Sequence, residues 1–572
     1  MRILGLNHDM FISSAALIED GQVIAAVAEE RFTRDKMTRA FPRQSIQYCL
    51  DVAGIKIEDV DAVATSWNPG AYFRKFNPLV SDKRRHMAEH LFAVPDHLID
   101  MFPEGDHTAP WLELRIPIMG HTCRVFYVTH HSAHAANAYH LSPFDDAAIL
   151  TADSQGEYEA TTWQHGQGDR IKKLKSIDFP QSLGAFYATF TEFLGFRPNS
   201  DEWKVMALGA YEDGQNPYDE ILANEVVCLN DDGSYTFDLA FFQGFMPDKK
   251  NLYTDHMVSR FGTPRQTDEP LEMHHYQIAG AVQRRAEVIA FHMMKKLHEE
   301  TGAKDLCVAG GFFMNSLLNG KIRENTPFEN VFISSCPDDS GNAIGAALFA
   351  MNDILHHGTR SPQTHNYYGP EYSDNEISET IKKYGLQAEK CDDISETCAD
   401  LLANGKLVGW FQGRMELGQR ALGNRSILAD PRCESTRDQV NLAVKYREKF
   451  RPFAPAILKE EAASWFDMAP DTLVPFMEQV HPVRAEKRSE IAACVHADGT
   501  GRLQTVDADT NPRFHALVSA FREKTGVPVV LNTSFNLNGE PVVCEPTDAI
   551  RTFFSCGLDA LAMGNWLIKK NG

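Results

Sequence analysis

Residues 306–321 of the chain read LCVAGGFFMNSLLNGK, an apolar run followed by two glycines and a helix-like stretch. This pattern predicts a strand over Leu306–Ala309, a turn at Gly310-Gly311 and a helix over Met314–Lys321. The same succession recurs directly afterwards, with a strand over Val331–Ser335 and a helix over Asn342–Leu355. Strand–turn–helix units in series indicate an α/β fold whose ligands bind where the strands end.

Elements of the same kinds extend outward from this stretch. We expect strands over residues 2–7, 14–30 (two strands with a turn at Glu19-Asp-Gly21), 125–129 and 147–153, and helices over residues 43–54 and 275–300. Residues 356–373 mix turn formers with polar residues and are interpreted as a linker, followed by a second α/β region. We detect no internal repeat in the sequence.

The bulk composition is that of an ordinary globular protein. The chain has 572 residues, 43% of them hydrophobic and 23% charged, so we expect two to four domains. The formal net charge of −22 argues against general nucleic-acid binding, because an acidic surface repels phosphate backbones. Eleven cysteines without a CxxC pair fit neither a zinc ribbon nor a disulfide framework.

The beginning of the chain and the apolar runs bear on location. Met1 leads directly into a strand-like pattern without a basic, long apolar leader, and no run of 18 apolar residues occurs. We therefore expect a cytoplasmic protein with no membrane partner.

Two histidines and two aspartates form a candidate metal site. His130 and His134 are four residues apart, so on a helix their imidazoles share one face. Asp153 and Asp339 each follow an apolar strand, in the position where α/β folds bind ligands. Two imidazoles and two carboxylates suit a divalent transition metal. Surface or capping roles for the histidines, and helix capping by Asp339, remain the alternatives.

The glycine pair is a candidate nucleotide-binding turn. Gly310, Gly311 and the nearby Asn315 lie between a strand and a helix, where glycine permits a close backbone approach and helix amides favour phosphate. A simple tight turn explains the same residues equally well.

Cations are concentrated in the second region of this acidic chain, beside glycines and prolines rather than along one helix face. They are Arg414, Arg420, Arg425, Lys445, Arg447, Lys449, Arg451 and Arg502. Residues 531–536, LNTSFN, add hydroxyls and amides after an apolar strand. Arginine binds phosphate oxygens bidentately and lysine adds a point charge, so the cluster predicts a phosphate or nucleotide pocket. Scattered surface salt bridges are the alternative.

The order and spacing of several short motifs resemble one known family. The motifs are Ala28-Glu-Glu-Arg-Phe-Thr-Arg34, His130-His-Ser-Ala-His134, Lys204-Val-Met206, Ala309-Gly-Gly311, Arg420-Ala-Leu-Gly423, Arg451-Pro-Phe-Ala-Pro455, Asn532-Thr-Ser-Phe-Asn536 and Gly539-Glu-Pro541. The family comprises the carbamoyltransferases of the nodulation protein U, cephem carbamoyltransferase and tobramycin carbamoyltransferase type. The resemblance extends over nearly the whole chain.

This resemblance implies a two-domain enzyme. Residues 1–356 are expected to form a TsaD-like domain of the actin/hexokinase superfamily that holds iron, Fe(2+), or another divalent transition metal. Residues 374–572 are expected to form a YrdC-like α/β domain that makes carbamoyl-adenylate from carbamoyl phosphate and ATP, with Mg(2+) accompanying the nucleotide. The first domain would then transfer the carbamoyl group to a hydroxyl of a small molecule, such as a natural product or a sugar. The resemblance leaves a homodimer open.

Site residues follow from the resemblance by position. It implies that His130, His134, Asp153 and Asp339 are metal ligands, and that Lys36 and His8 lie at the transfer centre, either of them as the base. The implied carbamoyl-phosphate pocket consists of Lys445, Arg451, Arg502, Asn532 and Ser534. Arg420 is implied beside the nucleotide phosphates, while Gly310, Gly311 and Asn315 are candidate nucleotide contacts on the local grounds given above.

Three other functions compete with this interpretation. A tRNA threonylcarbamoyl-transfer enzyme shares the fold of the first domain, but the second domain and the acidic charge argue against it. A small-molecule kinase of the same superfamily would not need the second basic pocket. A metal- or nucleotide-dependent scaffold without catalytic activity is the non-enzymatic alternative.

Overall fold

The computed structural model describes residues 1–8, 11–69, 110–246, 249–358, 360–445 and 453–570. The chain divides into two compact units. The first comprises Met1–His8, Ala16–Val23 and Gly54–Pro362, and the second comprises Asp9–Ala15, Ile24–Ala53 and Gln363–Gly572. The predicted domain limits, 1–356 and 374–572, stay a prediction.

The strands form two large sheets before residue 334 and one after it. The earlier strands are β1 (Arg2–Asn7), β2 (Ser14–Glu19), β3 (Gln22–Ala28), β4 (Ala62–Thr65), β5 (Trp111–Ile118), β6 (His121–Val128), β7 (Asp146–Ala152), β8 (Glu159–Gln167), β9 (Arg170–Asp178), β10 (Val227–Leu229), β11 (Tyr235–Phe237), β12 (Asp305–Ala309) and β13 (Asn330–Ile333). The later strands are β14 (Glu389–Lys390), β15 (Val408–Phe411), β16 (Arg425–Ala429), β17 (Ala454–Leu458), β18 (His481–Pro482), β19 (Thr500–Gly501), β20 (Gln504–Val506), β21 (Val529–Ser534), β22 (Ala560–Met563) and β23 (Trp566–Lys569).

Helices alternate with these strands, which confirms the predicted α/β class. The α-helices are α1 (Glu30–Thr33), α2 (Arg43–Ala53), α3 (His130–Tyr139), α4 (Leu183–Phe193), α5 (Glu202–Leu208), α6 (Tyr218–Ile221), α7 (Asp255–Phe261), α8 (Met273–Thr301), α9 (Ser316–Asn325), α10 (Asn342–Phe349), α11 (Asp374–Lys383), α12 (Ile394–Ala403), α13 (Ser435–Val440), α14 (Ala462–Trp465), α15 (Pro512–Thr525) and α16 (Pro546–Phe554). In the part of the chain that the structure describes, no helix is both long and apolar enough to cross a bilayer.

The two earlier sheets repeat one strand order. The first sheet has the order β3-β2-β1-β4-β6-β5 and the second β13-β12-β7-β8-β9. When the strands of each sheet are numbered in chain order, leaving out β5, both sheets have the order 3-2-1-4-5. Strand β5 extends the first sheet at one edge. The earlier part of the chain therefore contains one sheet topology twice. The duplication was invisible in the sequence, because topology repeats here without a repeating pattern of residues.

Local chemistry explains where several elements begin and end. Asp20 and Gly21 both have positive φ (46° and 81°), which is the type I′ geometry that joins β2 to β3. The long helix α8 ends at Gly302, which adopts the left-handed conformation and donates its N–H to the His298 carbonyl. The turn lies where the sequence predicted it, and the helix expected over residues 275–300 ends one residue later, at Thr301.

Two predicted helices differ from the structure. The helix expected over Met314–Lys321 begins at Ser316, because the Asn315 side chain accepts the N–H of Leu318 and so marks the helix start. A 3₁₀ turn, Gly311–Met314, precedes it. The helix expected over Asn342–Leu355 is α-helical only to Phe349 and continues as a π-helical turn.

The sheet of the second unit has eight strands. Their order is β14-β23-β22-β15-β16-β21-β17-β20. Its two faces carry separate apolar clusters, one under α12 and α15 and one under α11 and α16. The inner strands β16, β21 and β17 pair antiparallel and carry several of the predicted phosphate-site residues.

Candidate active site

The four predicted metal ligands converge in the first unit. His130 and His134 lie one turn apart on α3, Asp153 directly follows β7, and Asp339 opens the turn before α10. One ligand atom from each of the four residues lies within 4.8 Å of those from the others. The structure thus brings together residues that are more than 200 positions apart in the sequence.

Distances within this cluster fit one bound ion. The Nε2 atoms of His130 and His134 are 3.1 Å apart. Asp153 Oδ2 lies 3.4 and 3.0 Å from the two nitrogens, and Asp339 Oδ1 lies 3.3 and 3.4 Å from them. Ligand bonds of about 2.1 Å separate neighbouring ligand atoms by about 3.0–3.4 Å in octahedral or tetrahedral sites. Asp339 Oδ2 is buried without a hydrogen-bond partner among the described residues, which also suits an ion-binding carboxylate.

The buried charges in the cluster stabilise one another. Burial alone would lower the pKa of His130, but Asp339 and Asp153 outweigh it and raise that pKa well above the usual value. Burial would raise the pKa of Asp153, yet hydrogen bonds from both histidines hold it well below the usual value. A divalent cation would take over the positive charge that these carboxylates attract.

Glu157 supports the helix that carries the two histidines. Its buried Oε1 accepts the N–H of His130, the first residue of α3, at 3.0 Å and the N–H of Asn68 at 2.8 Å. A carboxylate in this position caps the helix and complements its dipole. Burial raises the pKa of Glu157 to about 7. Glu157 belongs to no ligand pattern that the sequence indicated, and its role becomes visible only in the structure.

His131 fixes the rotation of α3 about its axis. Its Nε2 lies 3.1 Å from the Glu159 carbonyl, and its Nδ1 lies 2.7 Å from Thr151 Oγ1. Because a carbonyl only accepts, the proton belongs on Nε2, and Thr151 donates to Nδ1. Burial, aided by His130, holds the pKa of His131 well below its usual value, so the ring is neutral. Nothing local in the sequence distinguishes this structural histidine from the two candidate ligands.

The glycine turn lies against the metal cluster. Gly310 has φ 103°, and a Cβ there would lie 2.1 Å from the Ala152 carbonyl oxygen. A Cβ on Gly311 would lie 3.0 Å from Asp153 Oδ1. Close backbone packing beside Asp153 therefore explains both glycines, and their predicted contact with a nucleotide stays a prediction.

Asn315 has structural partners in addition to its helix cap. Its amide exchanges two hydrogen bonds with Gln283, at 2.8 and 3.1 Å. Gln283 in turn contacts Tyr187 and Glu287. The side chain is thus held in a buried polar network, and its nucleotide role also stays a prediction.

The two candidate bases lie in different units. His8 directly follows β1 in the first unit, whereas Lys36 is exposed in the turn after α1, in the segment Ile24–Ala53 of the second unit. Their assignment to the transfer centre remains a prediction.

Part of the predicted carbamoyl-phosphate pocket assembles in the second unit. The ammonium of Lys445 is buried and donates to Ser534 O at 2.5 Å, Asn536 Oδ1 at 2.7 Å and Asn536 O at 3.0 Å. Ser534 Oγ is 3.3 Å from the same ammonium. Asn532 precedes Ser534 by two residues on β21, so their side chains share one face of the sheet. Arg502 lies two residues before β20, and Arg451 lies outside the described residues.

The loop that carries Arg420 is held by side chains rather than by a strand or helix. Glu416 Oε1 accepts the N–H groups of Leu422, Asn424 and Arg425. The carbonyls of residues 418 and 421–423 accept hydrogen bonds from the side chains of Arg31, Asn532, Gln504, Tyr367 and Trp410. Arg420 itself donates to the Met477 carbonyl at 2.5 Å. Such a loop presents its cation in a defined position, which favours binding of an anion.

Sequence reasoning missed most of these supporting residues. Glu416, Gln504 and Arg31 belong to no ligand pattern that composition or spacing could single out. Arg31 could be recognised only as part of the motif 28–34. Arg425, which the sequence placed in the cation cluster, is fully buried and donates to the carbonyls of Gln412 and Pro370, so its role is structural.

The sequence matches one protein family over most of its length. Residues 2–348 match the family model described as carbamoyltransferase N-terminus, and residues 399–570 match carbamoyltransferase C-terminus. The chain is 37% identical to the nodulation protein NolNO of Sinorhizobium fredii, over 99% of this chain and 80% of that protein. It is 29% identical to the 3'-hydroxymethylcephem-O-carbamoyltransferase of Amycolatopsis lactamdurans, over 87% of this chain and 94% of that protein.

Solved structures add little to this result. Component A of the (R)-2-hydroxyglutaryl-CoA dehydratase of Acidaminococcus fermentans matches 62% of this chain and 99% of its own, with 15% identity and a TM-score of 0.34. Similarity at this level supports no conclusion about function.

Proposed function

Because the chain belongs to the carbamoyltransferase family, we propose that it is an ATP-dependent O-carbamoyltransferase with carbamoyl phosphate as donor. Carbamoyl phosphate first loses phosphate by hydrolysis, and the resulting carbamate oxygen attacks the α-phosphorus of ATP, displacing pyrophosphate. An acceptor hydroxyl oxygen then attacks the carbamoyl carbon of this adenylate. The bond to AMP breaks as the new ester bond forms, and the hydroxyl proton passes to a base.

We assign adenylate formation to the second unit. The supporting observation is the loop around Arg420, whose backbone is fixed by side-chain hydrogen bonds, together with the buried ammonium of Lys445 beside Ser534. Lys445, Arg502, Asn532, Ser534 and Arg451 would bind carbamoyl phosphate, and Arg420 would bind the phosphates of ATP, which Mg(2+) accompanies. Fixed cations lower the cost of bringing two phosphorylated substrates together.

We assign transfer to the first unit, and the observation that carries this assignment is the convergence of the quartet His130, His134, Asp153 and Asp339. These four residues would hold iron(II), which suits mixed nitrogen and oxygen ligands. A bound divalent ion supplies Lewis acidity toward a carbonyl or phosphate oxygen. Glu157 and His131 hold α3 so that its two imidazoles face the carboxylates. His8 or Lys36 would accept the hydroxyl proton, and Gly310, Gly311 and Asn315 would contact the nucleotide part of the adenylate.

The acceptor we propose is a hydroxyl of a small natural product or sugar. This proposal rests on the relative named as a 3'-hydroxymethylcephem-O-carbamoyltransferase, whose name specifies transfer to an oxygen. The net charge of −22 opposes a tRNA acceptor. A scaffold without catalysis has no observation in its favour.

Lys445→Ala tests the adenylation half of the proposal. The variant should lose at least about tenfold in AMP and pyrophosphate release from ATP and carbamoyl phosphate, since a charged buried hydrogen bond contributes roughly 1.5–3 kcal/mol. Lys459→Ala is the matched control, because Lys459 forms a surface pair with Asp507 at 2.6 Å in the same unit. Pyrophosphate release that is unchanged in Lys445→Ala would contradict the proposed site.

A further inference from the structure

Two buried amide side chains meet across one strand of the second unit's sheet. Asn532 on β21 pairs with Ala454 of β17, and Ala456 of β17 pairs with Gln504 on β20. Paired residues share a face, and so do residues two apart on one strand, so all four side chains point the same way. The two alanines are short enough to leave space above β17. Asn532 Nδ2 reaches Gln504 Oε1 there at 3.0 Å.

The hydrogen bonds determine which way each amide faces. Gln504 Nε2 donates to the Leu422 carbonyl at 2.9 Å, which leaves Oε1 to face Asn532. Asn532 must therefore present its nitrogen, which also donates to the Ala421 carbonyl at 3.2 Å. A reversed Asn532 would place its oxygen against two other oxygens. Gln504 thus orients Asn532 through a chain of contacts that begins at the backbone of the Arg420 loop.

This orientation leaves one buried acceptor available. Asn532 is only 1% exposed, and its Oδ1 has no hydrogen-bond partner within the described ranges. A buried acceptor without a partner costs free energy, so the site is suited to a ligand that brings an N–H or O–H donor. Ser534, on the same face two residues further along β21, hydrogen-bonds with the buried Lys445 ammonium. Two positions along a strand span about 7 Å, comparable to a small molecule with an anionic end and an amino end.

We propose that Gln504 is a positioning residue that sets the donor specificity of the second unit. It holds Asn532 Oδ1 as an acceptor for the –NH2 group of the carbamoyl donor, while Ser534 and the Lys445 ammonium bind the phosphate group. A donor with a methyl group in place of –NH2, such as acetyl phosphate, leaves Oδ1 without a partner and is disfavoured. This inference rests on the proposed function, because it takes the donor to be carbamoyl phosphate.

Direct binding of two anions tests the inference without requiring turnover. The affinities of freshly dissolved carbamoyl phosphate and of acetyl phosphate for the full chain are compared by titration calorimetry. The wild-type protein should bind carbamoyl phosphate at least about tenfold more tightly, and Gln504→Met should narrow the ratio to within about threefold. Equal affinities in the wild type, or binding of neither anion, overturn the inference.

Two further variants separate positioning from general destabilisation. Gln504→Glu should keep the ratio, because a protonated carboxyl supplies both the acceptor for Asn532 and a donor for the Leu422 carbonyl. Gln412→Met is the matched control, because Gln412 is a buried amide in the same unit that contacts Gly564 and Arg513 instead. It should also keep the ratio. If Gln504→Met lowers the affinities for both anions by the same factor, the result contradicts the inference.

If Gln504→Met does not fold, Asn532→Leu removes the acceptor directly and should abolish the preference; a retained preference overturns the inference. AMP and pyrophosphate formation from ATP and carbamoyl phosphate is measured separately on the wild-type protein. A protein that prefers carbamoyl phosphate but forms no AMP supports the role of Gln504 and contradicts the proposed adenylation. A protein that forms AMP yet binds both anions equally supports the proposed adenylation and contradicts the role of Gln504.

Discussion

At the scale of single residues, the metal cluster depends on which atom of each side chain faces the other candidate ligands. Asp153 uses Oδ1 to accept the N–H of Ser154 at 2.6 Å and leaves Oδ2 for the histidines. His134 is fully buried and lies centrally, with Nε2 close to His130, Asp153 and Asp339. Removing this one imidazole therefore changes the surroundings of every other ligand atom.

We expect the protein purified without oxygen to contain about one divalent ion per chain and His134→Ala to lose most of it, because one of four ligands is missing. Elemental analysis measures the metal content of both proteins. His165→Ala is the control, since His165 pairs with Asp146 at 2.8 Å outside the cluster. The assignment fails if His134→Ala retains the metal content of the wild type.

We expect the buried carboxyl of Glu478 to make the stability of the second unit depend on pH. Burial raises its pKa to about 7, above the usual 4.5, against the opposing effect of Arg420. A raised pKa contributes stability below pH 4.5 that is lost as the pH rises to about 7, where the folded protein must bury a carboxylate. Glutamine cannot ionise and still accepts the N–H of Phe476, which Glu478 Oε2 accepts at 2.7 Å.

Glu478→Gln should therefore gain stability relative to the wild type between pH 5 and pH 8, by at most about 3 kcal/mol, as expected from a pKa displaced from 4.5 to about 7. Urea midpoints of both proteins at the two pH values measure the change. Glu486→Gln, at an exposed position, is the control and should show a smaller change. A pH-independent difference between Glu478→Gln and the wild type would argue that the carboxyl is ionised throughout.

At the scale of elements, one turn connects the sheet to the cluster. The glycine turn lies between β12 and α9, and Gly310 donates its N–H to the Pro337 carbonyl at 2.7 Å. It therefore packs against both the end of β7 and the segment that leads to Asp339. A side chain in this turn would displace strand ends that carry two of the four candidate ligands.

Gly310→Ala should destabilise the first unit severely. Gly310 has φ 103° and ψ 153°, a backbone region that is essentially restricted to glycine and costs another residue about 1–3 kcal/mol. The new Cβ would also lie 2.1 Å from the Ala152 carbonyl oxygen. Gly385→Ala is the control for a positive φ without a steric clash, because Gly385 has φ 63° with nothing within 4 Å of its Cβ position. Thermal unfolding should show a much larger loss for Gly310→Ala. Equal losses in the two variants would mean that the turn has room for a side chain.

At the scale of the whole molecule, the two candidate sites belong to different units. The quartet lies in the first unit and the Arg420 loop, Lys445 and Asn532 in the second. Residues 24–53 are part of the second unit, where Arg34 donates to the carbonyls of Val542 and Pro541. Two early stretches of the chain, residues 9–15 and 24–53, therefore complete a unit that is otherwise built from residue 363 onward.

Asp339→Asn should separate the two half-reactions. We expect the variant to release AMP from ATP and carbamoyl phosphate but to leave the acceptor without a carbamoyl group, because a neutral amide binds a metal ion more weakly than a carboxylate. Mass spectrometry of one reaction measures AMP and product together. The division into two sites is wrong if a folded Asp339→Asn protein loses both activities.

Local physical chemistry made much of this architecture predictable from the sequence. Apolar periodicity located β1, β12 and α8, and the glycines at 21 and 302 marked where the chain turns, because these effects act between near neighbours. The histidine pair was recognisable for the same reason, since a spacing of four is itself a local property of a helix. Motif order was sufficient to indicate the family that the comparisons confirmed.

The sequence by itself thus determined the α/β class, the positions of several strands and helices before residue 356, the pair His130 and His134, and the family. The sequence grouped Asp153 and Asp339 with these histidines as candidate ligands, and the tertiary structure showed that the four meet. Only the tertiary structure showed that the two earlier sheets repeat one order and that residues 24–53 join the second unit. It alone also placed Gln504 against Asn532 across β17. Contacts of this kind join residues tens to hundreds of positions apart and depend on how strands pair and side chains pack. No local periodicity records that pairing, so a sequence pattern can name candidates for such contacts but cannot place them against one another.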